Sequence, residues 1–142
     1  MSLTFQTQVV SLVTDGVFVK YPVTRIVLIE GGFVWLAPLM WRLDKNYRSL
    51  RSEIPWLTEL PSKYIRDHFR ATTQPMEEPS TSQHLLSIFE MIGCDDFLMF
   101  STNYPHWNFD APDQALPANL SDDLRKRIMA TNALDFYNFT RD

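Results

Sequence analysis

Phe97-Leu98-Met99-Phe100 is an unbroken apolar run that leads without a spacer into Ser101-Thr102-Asn103-Tyr104-Pro105-His106-Trp107. A run that is apolar on both faces suits a strand buried on both sides, as in parallel sheets. Polar and aromatic side chains directly behind such a strand are what α/β sheets and barrels present at their C-terminal strand edges. The stretch therefore predicts a strand over 97–102 and a candidate site in the loop after it.

The same logic applies earlier in the chain. Arg25-Ile26-Val27-Leu28-Ile29-Glu30 reads as a buried strand, and Gly31-Gly32 permits a sharp exit or a close backbone approach. A more polar strand is expected over 69–74. Helices are expected between these strands. The apolar spacing of Val9, Leu12, Val13 and Val17 predicts one over 5–19, closed by Tyr21-Pro22. Leu36, Leu39, Met40, Leu43, Tyr47 and Leu50 mark a long one, with Pro38 tolerable only in its first turn. A short helix is expected over 62–68. Another over 80–92 has Gly93 as its stop. Ser121 caps the last helix, and Asp122 and Asp123 favour its positive end. Pro75 and Pro79 enclose a loop with Met76, Glu77 and Glu78.

The order α-β-α-α-β-α-β-α implies parallel strands joined by right-handed crossovers. A full eight-stranded barrel takes about 250 residues. A chain of 142 residues is expected to hold one domain with about three such strands, and its open sheet edges invite pairing with another chain. The net charge of −4, without a basic stripe, argues against nucleic acid as a partner. No apolar run reaches the roughly 18 residues of a membrane span. No secretory leader pattern opens the sequence, and the single cysteine, Cys94, has no internal disulfide partner. A cytoplasmic setting is the expectation. Trp35, Trp41 and Trp56 are expected to pack helices onto the sheet.

Three blocks carry a family resemblance: Arg25-Ile-Val-Leu-Ile-Glu-Gly-Gly-Phe-Val-Trp-Leu-Ala-Pro-Leu-Met-Trp-Arg-Leu-Asp44, Thr72-Thr-Gln-Pro-Met-Glu-Glu-Pro79 and Phe100-Ser-Thr-Asn-Tyr-Pro-His-Trp-Asn-Phe-Asp110. In order and spacing they resemble the amidohydrolase-2 family, the metal-dependent hydrolases related to aminocarboxymuconate-semialdehyde decarboxylase. The resemblance runs from about Val10 to Phe139 and covers only the C-terminal half of that family's barrel. It implies a partial (β/α)8 barrel made of the last three βα units with flanking helices, residues 1–142 being the equivalent of that half. It further implies a divalent metal, zinc foremost, at the C-terminal mouth. The family's ligands are a His-x-His pair on the first strand, a His on a middle strand and an Asp on the last.

This chain has no His-x-His pair, its histidines being His68, His84 and His106. The family Asp falls on Asn103, and the His before the sixth strand's Gly-rich turn falls on Glu30. An Asn keeps the shape of Asp and loses the charge, so it is a weak ligand and no general base. The candidate site residues are Glu30 as an acid/base group, His106 beside it in role, Gln74 and Trp107 for substrate contact, and Asn103 at the metal position. For His106 the competing reading is hydrogen bonding within its loop and packing on Trp107. Glu30 could equally be a structural carboxylate, and Gln74 a loop anchor. His84 is expected to face solvent and His68 to close a helix.

Two functions are consistent with these features. In one, the chain is a fragment of a hydrolase or decarboxylase acting on a small organic acid or a cyclic ester or amide, inactive alone. It would be completed by a missing N-terminal half-barrel or by another copy in a homo-oligomer. In the other it is a non-catalytic half-barrel remnant that self-associates, holds no metal and binds at most a small ligand.

Overall fold

The computed structural model describes residues 2–139, apart from the side chains of Ser2 and Cys94. The chain packs as two compact units. One holds the stretch up to Leu28 with Trp35–Arg70, and the other holds Ile29–Val34 with the chain from Ala71 onward.

In the first unit, α1 (Ser2–Thr14) buries Val9 and Val13, as its spacing predicts. The helix does not run on to residue 19. It stops at Asp15-Gly16, and a single turn, α2 (Val17–Lys20), follows. Gly16 adopts φ 72°, which the apolar period could not reveal. The indole of Trp56 donates from Nε1 to the Thr14 carbonyl at 2.8 Å, so it caps α1. Its ring fills the space where a side chain on Gly16 would begin, 2.5 Å from an ideal Cβ. Phe18 of α2 is buried, stacked on His68 at 4.3 Å and edge-on to Phe69 at 5.2 Å.

Strand β1 (Ile26–Leu28) is followed, after the excursion to the other unit, by α3 (Leu36–Leu50). This helix buries Leu36, Ala37, Met40, Leu43 and Tyr47 on one stripe, with Pro38 in its first turn as expected. The Tyr47 hydroxyl donates to the Leu57 carbonyl at 2.8 Å. A 3-10 turn (Arg51–Glu53) leads towards α4 (Pro61–His68). Proline opens α4, where its missing N–H costs nothing. Asp44 Oδ1 accepts from the Ser62 amide at 2.9 Å, so α3 satisfies a donor at the start of α4. His68 closes α4, its Nδ1 lying 2.9 Å from the Thr24 carbonyl oxygen. Trp41 and Trp56 are 55% and 45% exposed, so these two do not serve as buried sheet packing; Trp56 is a helix cap instead.

The three strands form one sheet in the order β1-β2-β3. Strand β2 (Phe69–Thr72) pairs in parallel with β3 (Leu98–Met99), Ala71 opposite Leu98 and Thr72 opposite Met99. All three strands are shorter than the spans expected from the sequence. Glu30 and Asn103 both have positive φ, which ends extended backbone, and Phe97 belongs to a helical turn, α6 (Cys94–Phe97).

In the second unit, α5 (Ser82–Ile92) turns Leu85, Phe89 and Ile92 inward, and Phe33 meets Phe89 at 5.7 Å. Gly93 ends α5 at φ 66°, as the sequence predicts. Ser121 caps α7 (Asp122–Lys126), its hydroxyl accepting from the Leu124 amide. A π-turn (Arg127–Thr131) joins α7 to α8 (Asn132–Tyr137). It has a consequence for β3. The Ile128 carbonyl accepts from Phe100 N at 2.9 Å, and the buried Asn132 side chain donates to Leu98 O at 2.8 Å. The open edge expected on β3 is therefore covered by the chain's own last helices. Among the described residues, no helix is long and apolar enough to cross a membrane.

Gly16→Ala is expected to destabilise the chain by about 1–3 kcal/mol, since it puts a Cβ into both a left-handed backbone and the Trp56 ring. A urea midpoint equal to that of the parent would contradict this.

Candidate functional site

All five residues singled out in the sequence lie in the second unit, on the segments that follow the strands. Their arrangement begins with hydroxyl groups that carry the β2–β3 pairing past its last register pair. Thr73 N donates to Met99 O at 2.9 Å, Ser101 N to Thr73 Oγ1 at 3.2 Å, and Gln74 N to Ser101 Oγ at 3.4 Å. Thr72 Oγ1 accepts from the Glu30 amide at 3.3 Å and donates to the Gln74 carbonyl at 3.2 Å. One hydroxyl thus fixes the backbone of two candidate residues.

Gln74 is 2% exposed. Its Nε2 donates to the Asn108 carbonyl at 2.7 Å, while its Oε1 is buried with no hydrogen-bond partner. A buried carbonyl oxygen left unmatched is costly and is a ready acceptor for a ligand N–H or O–H. Asn103 is half-buried at φ 57°, and its Nδ2 lies 3.4 Å from Asn108 Oδ1. Asn108 therefore joins Gln74 and Asn103 through its backbone and its side chain. Glu30 is half-buried at φ 59°. The Gln74–Pro75 and Tyr104–Pro105 peptide bonds are cis.

The structure brings Gln74 and Asn103 together and ties Glu30 to Gln74 through Thr72. It does not draw His106 and Trp107 into that cluster. Trp107 is 94% exposed, and His106 is exposed, its amide donating to Asn103 O at 2.9 Å. His84 is exposed, as expected. Sequence reasoning missed Thr72, Thr73 and Asn108 as the groups that hold the cluster. The Thr72-Thr73 pair at the end of the second strand was the available signal.

Two carboxyl groups nearby in sequence, Glu77 and Asp110, were not among the candidates. Glu77 is raised above the ordinary Glu value by burial, against hydrogen bonding from its own amide and those of Phe33 and Val34. Asp110 is raised by burial and then by the charge of Glu78, and its Oδ2 is buried without a partner. Asp110 lines an open cavity of about 650 Å³ with Met76, Glu78, Leu85, Asp113 and Arg125.

The residues present do not make a metal shell. Among the described residues no group of three or more His, Cys, Asp or Glu side chains could hold an ion. Asn103 offers a neutral amide whose nitrogen faces Asn108.

The family model described as Amidohydrolase matches residues 2–139. The chain belongs to the amidohydrolase-2 family. No curated protein matches it. Among solved structures, 5-carboxyvanillate decarboxylase LigW from Sphingomonas paucimobilis is 26% identical with a TM-score of 0.74, over 94% of this chain and 39% of that one. A dihydroxybenzoic acid decarboxylase from Polaromonas sp. JS666, solved with bound manganese and the inhibitor 2-nitroresorcinol, is 25% identical with a TM-score of 0.69, over 96% and 40%. An amidohydrolase from Mycobacterium avium subsp. paratuberculosis K-10 shares the fold at 23% identity and a TM-score of 0.73, over 92% and 32%. This family member thus spans about a third to two-fifths of the structures it matches, and its fold is a partial (β/α)8 barrel.

Asp110 yields a pH prediction. A carboxyl whose folded pKa is raised adds stability below its unfolded value, and that stability is lost as pH rises through the folded value. Charged Asp110 therefore opposes folding at neutral pH. Asp110→Asn is expected to raise the urea midpoint at pH 7, and the gap should close below about pH 4. A lower midpoint for the variant at pH 7 would refute this sign.

Proposed function

We propose that this chain supplies the C-terminal βα portion of an amidohydrolase-type hydrolase or decarboxylase that acts on a small organic acid or a cyclic ester or amide. The observation that carries the reading is the buried Gln74, with its unmatched Oε1, meeting Asn103 through Asn108 past the ends of β2 and β3. Barrel enzymes place their chemistry at that end of the strands. In this reading the Gln74 carbonyl oxygen accepts a hydrogen bond from substrate. Glu30, and in a lesser role His106, moves a proton on it. The exposed Trp107 indole offers an apolar surface to the substrate body.

A divalent metal belongs to the complete site, on the precedent of the manganese held by the Polaromonas decarboxylase; zinc is the finer choice. This chain's residues supply at most the Asn103 position, so its own contribution is binding and proton handling. The remaining ligands come from an N-terminal half-barrel or from another copy of the chain, and the chain alone is inactive. A cytoplasmic setting, with neither nucleic acid nor membrane as partner, completes the proposal. A second reading, a non-catalytic remnant that self-associates, is favoured by the neutral amide at position 103.

The test is metal content by elemental mass spectrometry after dialysis against metal-free buffer. The chain alone is expected to retain much less than one divalent ion per chain. Asn103→Asp is expected to tighten binding by at least about tenfold, the scale on which even outer-shell changes act. Unchanged affinity in that variant removes position 103 from any metal site and favours the remnant. Light scattering at low micromolar concentration is expected to give a dimer or larger species; a monodisperse monomer would exclude completion by self-association.

A further inference from the structure

Glu77 lies in the proline-bounded loop that begins just after Gln74, yet its carboxylate reaches the turn that follows Glu30. Its Oε1 sits 2.5 Å from where a Cβ on Gly32 would be. Gly32 has φ 65°, so glycine serves twice here, for the backbone angle and for the carboxylate's approach. The backbone amides of Phe33 and Val34 favour the ionised form of the same carboxylate against its burial, while its Oε2 is buried without a hydrogen-bond partner. Successive backbone N–H groups in a turn form a concavity suited to an anion, and an ionised carboxylate is an acceptor-only partner for them.

The turn is gripped at further points. The Glu30 amide is held by the Thr72 hydroxyl, and the buried Phe33 ring packs on Phe89. Glu30 itself sits at φ 59°, a backbone state that a non-glycine residue keeps only when its surroundings impose it. Thr72 anchors the start of this segment, and Glu77 anchors its end.

We propose that Glu77 is a positioning residue that fastens the Gln74 loop to the Glu30 turn, so that the two candidate side chains keep a fixed relation. This rests on the reading of Glu30 and Gln74 as site residues, but the fastening itself can be measured without any activity.

The experiment is amide hydrogen exchange by NMR on the full chain, comparing the parent with Glu77→Ala, Glu77→Gln and Glu30→Gln. In Glu77→Ala the Phe33 and Val34 amides are expected to exchange roughly tenfold faster or more, while Leu98 and Met99 keep their protection. The Gln74 side-chain amide resonances, set by the bond to Asn108, are expected to shift as well. A role confined to holding the turn would leave them in place. Glu77→Gln keeps the length and one acceptor oxygen, so it should restore part of the protection; it also decides the matter if the alanine variant does not fold. Unchanged exchange at Phe33 and Val34 would overturn the proposal, as would equal acceleration at Leu98 and Met99. Glu30→Gln should leave Phe33 and Val34 protected, so failure of Glu30 as a proton-transfer group is separable from failure of the fastening.

Discussion

The β2–β3 ladder holds only the Ala71–Leu98 and Thr72–Met99 pairs, and side-chain hydroxyls continue it where the backbone ladder stops. Thr72, Thr73 and Ser101 bond to the backbone of residues 30, 74 and 101 and so set where each loop departs. Each such bond contributes about 0.5–1.5 kcal/mol net. Their weight comes from burial: Thr72, Thr73 and Gln74 are all buried, and a polar group unmatched there forfeits its hydration. The placement of the candidate site thus depends on small hydroxyl side chains more than on its conspicuous aromatics.

The site they support has an unusual polarity. Gln74, Asn103 and Asn108 form a cluster of neutral amides, and the backbone of Glu30 is tied to it through Thr72. Amides fix geometry and recognise hydrogen-bonding patterns, but they neither hold a hard cation tightly nor take up a proton. A cluster of this kind suits orientation and recognition, and a reaction that needs a charged metal centre needs ligands supplied in addition.

Much of the architecture was legible because it rests on periodicity and punctuation. The stripe of α3, the Gly93 stop, the Ser121 cap and the alternation of helices with three strands all follow from side-chain spacing and special residues. The extent of the strands was not legible, since apolar runs do not report the positive φ of Glu30 and Asn103. Nor was the break in α1, because the apolar spacing continues across Gly16 while the Trp56 indole, distant in sequence, completes the turn. Glu30, Gln74 and Asn103 were candidates from strand ends and family resemblance. Asn108 and Glu77 were not, because their roles arise from backbone contacts that leave no pattern in sequence.

The helical segment that lies along β3 bears on how this chain could ever meet another. Successive residues of a strand turn their N–H and C=O groups to opposite sides. Met99 uses its carbonyl towards β2, while Leu98 and Phe100 bond to Asn132 and Ile128. A strand arriving to close a barrel on that side finds these groups occupied. It would exchange one hydrogen bond for another with little net gain. Backbone pairing therefore supplies no driving force there, and closure would have to be driven by apolar area withdrawn from water as the last helices give way. The same arrangement protects β3 from indiscriminate stacking into aggregates, a hazard that an exposed strand edge carries.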